Sequence, residues 1–387
     1  MDQISELLTR RVDQILPNKT GLETLLRSGK KIRLYQGFDP TGIKLHLGHS
    51  IGMRNLQKFA ELGHEVIVLF GTGTVLVGDP SERDTGRKLI TQEEIEANIK
   101  TWKLQVSKII DLERVQIRFN GDWLIPLTLK DIIHIASNIS AIQLFKRESF
   151  TRRLKAGDTI WYHETMYPLL QGYDSVAMDV DLEIGGTDQT FNMLIGRELQ
   201  KKINNREKFV LTNPMILGTD GGQMSKTTGN CIWLDDLPED MYGKTMSIPD
   251  SQISIYMQQL TNIPLQEIKN LRDNPLENKK RLALDITTQF YGSNMALKAQ
   301  QTFEATVQNK EIPTDIKIFI PTIKNGTSFL TLLKDSGLGD SSGHLKRMIE
   351  QGAVSINNNK ITDPNQVITF RSGDIIKFGK RKYRKIA

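Results

Sequence analysis

The sequence predicts an α/β protein: a parallel-sheet domain, then a helical domain and a small α+β unit. Three observations carry this. Five short β-rich runs, at 32–35, 66–70, 115–119, 180–184 and 210–217, alternate with amphipathic stretches such as 50–62 and 92–110. From 237 to 309 the spacing of apolar residues becomes helical, and from 327 a basic helix is mixed with short strand-like runs. Strands separated by helices imply crossover connections and hence a parallel sheet.

Taken in order, residues 1–16 place Ile4, Leu7, Leu8, Val12 and Ile15 at helical spacing, with Asp2 and Glu6 among them. This stretch lacks the apolar core of a signal peptide and is too acidic for a transit peptide. The five β-rich runs and their helices then occupy 31–232, with an insertion expected at about 75–160. A helical domain is expected over 233–312, its apolar faces supplied by Leu260, Ile268, Leu271, Leu282, Leu284, Ile286 and Phe290. Prolines at 313 and 321 mark a linker, 313–326. The last unit, 327–387, opens with a helix at 343–350, followed by a glycine turn and strand-like runs that include 367–377. No internal repeat is visible.

Composition narrows the function classes. The 387 residues are 38% hydrophobic and 25% charged, ordinary for a globular chain and too long for one compact core. The longest strongly apolar stretch, 66–78, has thirteen residues with three glycines, too short for a bilayer. A single cysteine, Cys231, permits no internal disulfide and no cysteine-rich metal site. A soluble, cytoplasmic protein is expected. The net charge of +6 is unevenly placed: from 318 onward 12 Lys+Arg face 5 Asp+Glu, while the rest carries 39 against 40. Half of those twelve lie in KFGKRKYRK at 377–385. Such a cluster suits a polyanion, because Lys and Arg release phosphate counterions on binding; a solvated basic end is the plainer alternative.

Two segments carry candidate chemistry. In YQGFDPTGIKLHLGHS (35–50), Gly37 and Gly42 allow close backbone approach after a strand, and a helix is expected to begin near 46–49. A helix N-terminus flanked by His46 and His49 suits polyphosphate. The same spacing also fits a metal pair, although no cysteine or carboxylate nearby completes a set. The second segment, GTDGGQMSKTTGN (218–230), is glycine-rich and offers Lys226 and neighbouring hydroxyls to a phosphate. Either pattern alone is weak. Together, 174 residues apart, they are specific.

With these residues in view, the chain resembles the bacterial-type tyrosyl-tRNA synthetases, class I enzymes whose signatures HIGH and KMSKS are similar to HLGH (46–49) and QMSKT (223–227). YQGFDPTG, GDPSERD (78–84), FNGDWL (119–124), YPLLQGYDSV (167–176) and EIGGTDQTFN (183–192) extend the likeness. SSGHLKRMIEQGAVSIN (341–357) and GDIIKFGKRKYRK (373–385) resemble an S4-type RNA-binding domain. The resemblance implies a Rossmann-like catalytic domain, a helical anticodon-binding domain and the RNA-binding domain. The implied reaction activates L-tyrosine with ATP and Mg²⁺ to tyrosyl adenylate and transfers it to tRNA. Two departures stand out: Gln223 replaces the first signature lysine, and Gln36 replaces a cysteine, near the ribose.

Residue by residue, the resemblance implies that Tyr35 and Asp174 hold the phenolic OH. Tyr167, Gln171 and Asp79 would hold the ammonium, with Asn120 nearby. Gly37, Asp39, Thr41, His46, Gly48 and His49 would meet the nucleotide, as would Met224, Ser225, Lys226 and Thr227. Gly186, Asp188 and Gln189 would face ribose and tyrosine, and Arg83 a phosphate or tRNA. His46, His49, Thr41 and Lys226 would orient and stabilise charge at the α-phosphate, without a general base or protein-held metal. Lys346, Arg347, Lys380, Arg381, Lys382 and Arg384 would contact RNA. A homodimer is implied, with the apolar stretch 132–145 as its interface; a core helix would look alike. Tyrosine and aspartate side chains satisfying each other in a core is the plainer reading of Tyr35 and Asp174. Two rival functions stay open: a tryptophanyl enzyme of the same fold, against which Tyr35, Asp174 and the basic domain argue, and a non-catalytic RNA-binding derivative.

Overall fold

The computed structural model describes residues 2–79, 91–225, 228–308, 316–339, 341–379 and 382–387. The described chain divides into two compact units, 1–292 and 293–387.

The first unit is organised by a six-stranded sheet: β1 (Gln14–Leu16), β2 (Arg33–Phe38), β3 (Glu65–Phe70), β4 (Gln116–Phe119), β5 (Leu182–Gly186) and β6 (Phe209–Asn213), in the order β1-β6-β5-β2-β3-β4. Strands β2 to β6 run parallel, as the alternation with helices implied, and β1 closes the edge antiparallel to β6. Successive residues point to opposite faces. Leu34, Val66, Val68 and Phe70 therefore join one core with Ile51, Leu56 and Phe59 of helix Leu47–Glu61. Tyr35, Ile67 and Leu69 face the other side, with Met178 at the end of helix Tyr162–Met178. From β2 the chain winds outward to β3 and β4, then returns to β5 on β2's other side. That reversal opens a crevice at the carboxyl ends of β2 and β5, the place where open α/β sheets bind ligands.

Three sequence expectations are corrected. The opening helix covers only Gln3–Leu7, with Asp2 accepting from the Ile4 and Ser5 amides. The chain then turns through Arg11, whose φ is +63°. Arg10 donates to the Gln258 carbonyl at 3.1 Å, and Arg11 to those of Gln259 and Thr261 at 2.8 and 2.6 Å. These guanidinium groups satisfy carbonyls at the end of helix Ile253–Leu260, and the turn delivers 14–16 to the sheet edge. The second correction concerns 233–292. Leu234, Met241, Ile248, Tyr256, Leu260, Leu282, Ile286 and Phe290 pack in the same core as the sheet, so packing divides the chain at Gly292 (φ +77°), not at 232. The expected insertion is likewise shorter than 75–160. Helix Gln92–Val106 buries Ile95, Ile99 and Trp102 in that core, and β4 pairs with β3.

The second unit has its own core, including Phe329, Leu333, Leu345, Ile349, Ile376 and Phe378. Its strands are β7 (Ile318–Phe319), β8 (Thr327–Ser328), β9 (Val354–Ile356), β10 (Asn359–Ile361), β11 (Val367–Ile368), β12 (Ile375–Phe378) and β13 (Lys382–Ile386). A five-stranded sheet runs β10-β9-β12-β13-β7, and β8 pairs with β11. The stretch expected to be linker thus contains β7, parallel to β13. Among the described residues no helix is long and apolar enough to cross a membrane.

Candidate active site

A cavity of about 570 Å³ lies at the carboxyl ends of β2 and β5. Tyr35, Gly37, Asp39, Thr41, His46, Gly48, His49, Asp79, Asn120, Tyr167, Gln171, Asp174, Gly186, Asp188, Gln189, Met224 and Ser225 all border it. Lys226, Thr227 and Arg83 lie outside the described residues. The lining is acidic, with Glu183 joining Asp39, Asp79, Asp174 and Asp188, so its centre suits a cation.

At the buried end, Tyr35 and Asp174 do not bond each other. The Tyr35 hydroxyl is 2.9 Å from Ser175 Oγ, and burial, with Glu183 and Asp174 nearby, pushes its ionisation well upward. Asp174 accepts from Asn120 Nδ2 at 3.1 Å and Trp123 Nε1 at 2.9 Å. Burial pushes its carboxyl well above the usual range, opposed by those two donors. Reading these residues as a mutually satisfied core pair is thereby set aside. Both are held by other partners while bordering the cavity.

Toward the middle, Tyr167 donates to Asp39 at 2.9 Å and Thr74 donates to the same carboxylate at 2.7 Å. Asp79 pairs with Arg147 at 3.1 Å and accepts from Gln189 at 2.7 Å. Gln171 and Gln189 both accept from Asn192 Nδ2, each at 2.9 Å. Burial raises Asp188, against its bond from Gln189.

Also bordering the cavity, helix Leu47–Glu61 begins directly after His46, whose backbone is extended. The His46 amide donates to His49 Nδ1 at 3.2 Å, so the His49 proton resides on Nε2 as a donor. The signature is clamped from two sides. Leu47 N bonds Ile232 O at 2.9 Å and Leu234 N bonds Leu45 O at 2.8 Å. From helix Gln92–Val106, Asn98 and Trp102 donate to the Pro40 and Gly42 carbonyls, and Gln105 bonds both Ile43 O and Leu45 N at 2.8 Å. That helix starts on a capping box: Thr91 N donates to Glu94 Oε2 at 2.9 Å and Glu94 N to Thr91 Oγ1 at 3.3 Å. The glycine-rich segment is tied down up to 225. Asn230 accepts from Ser225 N at 3.0 Å and donates to Gln223 O at 2.9 Å and Asp220 Oδ1 at 2.8 Å.

Gln36 borders the cavity, and its Oε1 is buried with no hydrogen-bond partner among the described residues. Its carboxamide fills space over Gly52: a Cβ there would lie 2.0 Å from Oε1. Gly52→Ala is therefore expected to drive the carboxamide into the cavity and slow the reaction while the melting temperature changes little. Adding Gln36→Ala should restore the rate. A Gly52→Ala enzyme at parental rate would contradict this coupling.

In the second unit, Lys346 and Arg347 are exposed on helix Ser342–Glu350, which contacts β12 through His344 and Phe378. Lys382 is exposed and Arg384 half-buried on β13; Lys380 and Arg381 lie outside the described residues. Among the described residues no group of three or more His, Cys, Asp and Glu could hold a metal ion, so the histidine pair has no such set around it.

Sequence reading missed Thr74, Trp123, Arg147, Ser175, Glu183, Lys208 and Asn230. Glu183 opens the EIGGTDQTFN motif, but its partner Lys208 is 25 positions away and no local pattern joins them.

Comparison with known proteins shows the family and the fold. The family described as tRNA synthetases class I (W and Y) matches residues 27–308, and the S4 domain matches 330–376. The chain is 40% identical to the tyrosine–tRNA ligase of Dehalococcoides mccartyi strain CBDB1, over 99% of this chain and 98% of that one. It is also 40% identical to that of Thermotoga maritima, over 99% and 96%. Among solved structures, a truncated Aspergillus nidulans mitochondrial tyrosyl-tRNA synthetase superposes with TM-score 0.65 at 20% identity, covering 78% of this chain and 93% of that one. The Archaeoglobus fulgidus tyrosyl-tRNA synthetase complexed with L-tyrosine gives 0.61 at 20%, covering 77% and 100%; both show the shared fold.

Proposed function

The chain belongs to the tyrosine–tRNA ligases of class I, and from that premise we propose how its own residues run the reaction. The enzyme joins tyrosine to tRNA through an adenylate. The carrying observation is that the first signature and the described part of the second, Met224 and Ser225, border the same cavity as the buried Tyr35 and Asp174.

Tyr35 and Asp174 receive the phenolic OH: both border the cavity, and a hydroxyl and a carboxyl each keep hydrogen-bonding capacity beyond the partners they already hold. The ammonium lies among Asp79, Tyr167 and Gln171, with Asn120 and Gln189 beside it. ATP enters with its Mg²⁺ as substrate, over Gly37, Asp39, Thr41, Gly48, Gly186, Asp188, Met224, Ser225 and Thr227. The tyrosine carboxylate, already a nucleophile, attacks the α-phosphorus in line and pyrophosphate leaves. His46, Thr41, Lys226 and the Nε2–H of His49 donate to the phosphates, so the protein supplies orientation and charge stabilisation. The terminal ribose hydroxyl of tRNA then attacks the adenylate carbonyl and AMP departs. Amino-acid-dependent ATP–pyrophosphate exchange tests this: tyrosine should drive it, and exchange driven by tryptophan instead would overturn it.

The basic unit binds tRNA through Lys346, Arg347, Lys380, Arg381, Lys382 and Arg384. Truncation after Lys317 removes the whole second sheet; it should leave tyrosine activation nearly intact and weaken charging. Activation falling in parallel with charging would refute the division. Affinity for tRNA should also drop steeply with salt, since several phosphate contacts are lost together. Ile133, Ile142 and Phe145, 59%, 72% and 42% exposed, support a homodimer through the stretch 132–145. The cytoplasm, which holds tRNA and ATP, is the proposed place of work.

A further inference from the structure

Behind the tyrosine recess lies a buried ion pair that the reaction outlined above leaves unused. Lys208, on the approach to β6, is fully buried, does not border the cavity, and pairs with Glu183 of β5. Lys208 Nζ also donates to Ser175 Oγ at 2.5 Å, and that oxygen is 2.9 Å from the Tyr35 hydroxyl. Tyr35 and Glu183 are direct register partners on adjacent strands. Room for the ammonium comes from Gly196, where a Cβ would lie 2.8 Å from Nζ and 3.0 Å from Ser175 Oγ.

We propose that Lys208 is a positioning residue for substrate selection: through Ser175 it fixes the direction in which the Tyr35 hydroxyl donates, and so sharpens the choice of tyrosine over phenylalanine. Counting donors and acceptors leads to this role, which rests on the placement of tyrosine proposed above. An ammonium donates only and has no lone pair. Ser175 Oγ accepts from it and has one proton to pass on, either to Tyr35 at 2.9 Å or to Glu183 at 3.4 Å. With Glu183 Oε2 already held by Lys208, the relay gives that proton to the nearer Tyr35 oxygen. The Tyr35 oxygen then accepts from Ser175, which leaves its own proton for an acceptor on the cavity side; Glu183, its register partner, is taken up by Lys208, so the relay assigns that proton to the substrate's phenolic oxygen. The substrate proton goes to Asp174, whose two oxygens already accept from Asn120 and Trp123. Every donor in the chain from Lys208 to Asp174 thus points the same way. Phenylalanine leaves the last donor and last acceptor unmet. A buried ion pair is weak evidence of stability, since desolvation offsets much of its attraction, so a role in specificity gives this one a function.

Lys208→Gln tests the relay, because an amide both donates and accepts and so imposes no direction. The kcat/KM ratio of tyrosine to phenylalanine in pyrophosphate exchange is expected to fall roughly tenfold, the loss of one well-directed buried hydrogen bond. Phenylalanine's own kcat/KM should stay within about twofold, whereas a purely structural role would lower both substrates together. Ser175→Ala, which leaves the ion pair in place, should lower the ratio similarly, and the double variant should fall no further. A parental ratio in either folded variant, a parallel loss for both substrates, or additive losses in the double variant would overturn the relay. If Lys208→Gln does not fold, the ratio in Ser175→Ala decides alone. A parent without tyrosine-dependent exchange would sink the functional reading itself; a parent with it, and unmoved ratios, would sink only the relay.

Discussion

Asp174→Asn is expected to narrow the preference for tyrosine over phenylalanine by about 10², the loss of a charge-assisted hydrogen bond with a new mismatch added. Both carboxyl oxygens of Asp174 already accept, from Asn120 and Trp123. An asparagine amide must turn its NH₂ toward one of those donors, leaving two donors face to face in a buried site. The carboxylate is also the stronger acceptor for the phenolic proton. Tyr35→Phe should cost less, because it removes one partner and adds no bulk. The parental preference to measure against is about 10⁵, the discrimination for which tyrosyl-tRNA synthetases are themselves the standard example, and so a reference value, not a prediction of this structure. Measuring kcat/KM for both amino acids in each variant decides the matter: if neither substitution narrows the ratio, these side chains are core structure and the ring lies elsewhere.

Lys226→Ala should slow adenylate formation by about 10²–10³ while tyrosine binding changes little, as when a charged donor to a transition state is removed. The lysine lies outside the described residues, but its neighbours are anchored. Ser225 is held by Asn230, and Met224 N bonds Ile216 O at 3.2 Å. With Gln223 in place of the usual first lysine, this ammonium carries more of the task. Gln223→Lys should be neutral or mildly faster. Single-turnover rates separate the step from binding. A Lys226→Ala enzyme that bound tyrosine more weakly at an unchanged rate would show that the lysine serves the wrong substrate for this scheme.

Much of the site is legible in the sequence because its chemistry is written in short contiguous segments. A strand, a glycine turn and a helix start follow one another within 35–50, which places Tyr35, Asp39, His46 and His49 on one ligand-facing path. The second signature and the GTDQ run are similarly local. Alternation of β-rich and helical runs suffices for a parallel sheet, and clustered charge marks the last unit as basic. What stays illegible depends on partners distant in sequence. No local pattern tells that 14–16 will pair with β6, nearly 200 positions on, or that Arg10 and Arg11 will reach across to 258–261 and end the first helix early. Apolar spacing over 237–290 specifies helix, yet whether those faces close on each other or on the sheet's core is a question of packing.

Local periodicity and motif spacing are thus enough to specify the fold class, the residue types of the site and their order along the chain. Which of those residues bond is settled by long-range packing alone. Asp174 turns to Asn120 and Trp123 and Tyr35 to Ser175, with Lys208 and Glu183 buried behind them. Desolvation is the cause. Once the crevice between β2 and β5 closes around these polar groups, each must find whichever donor or acceptor the packing brings within about 3 Å, and strand register and helix docking set that choice.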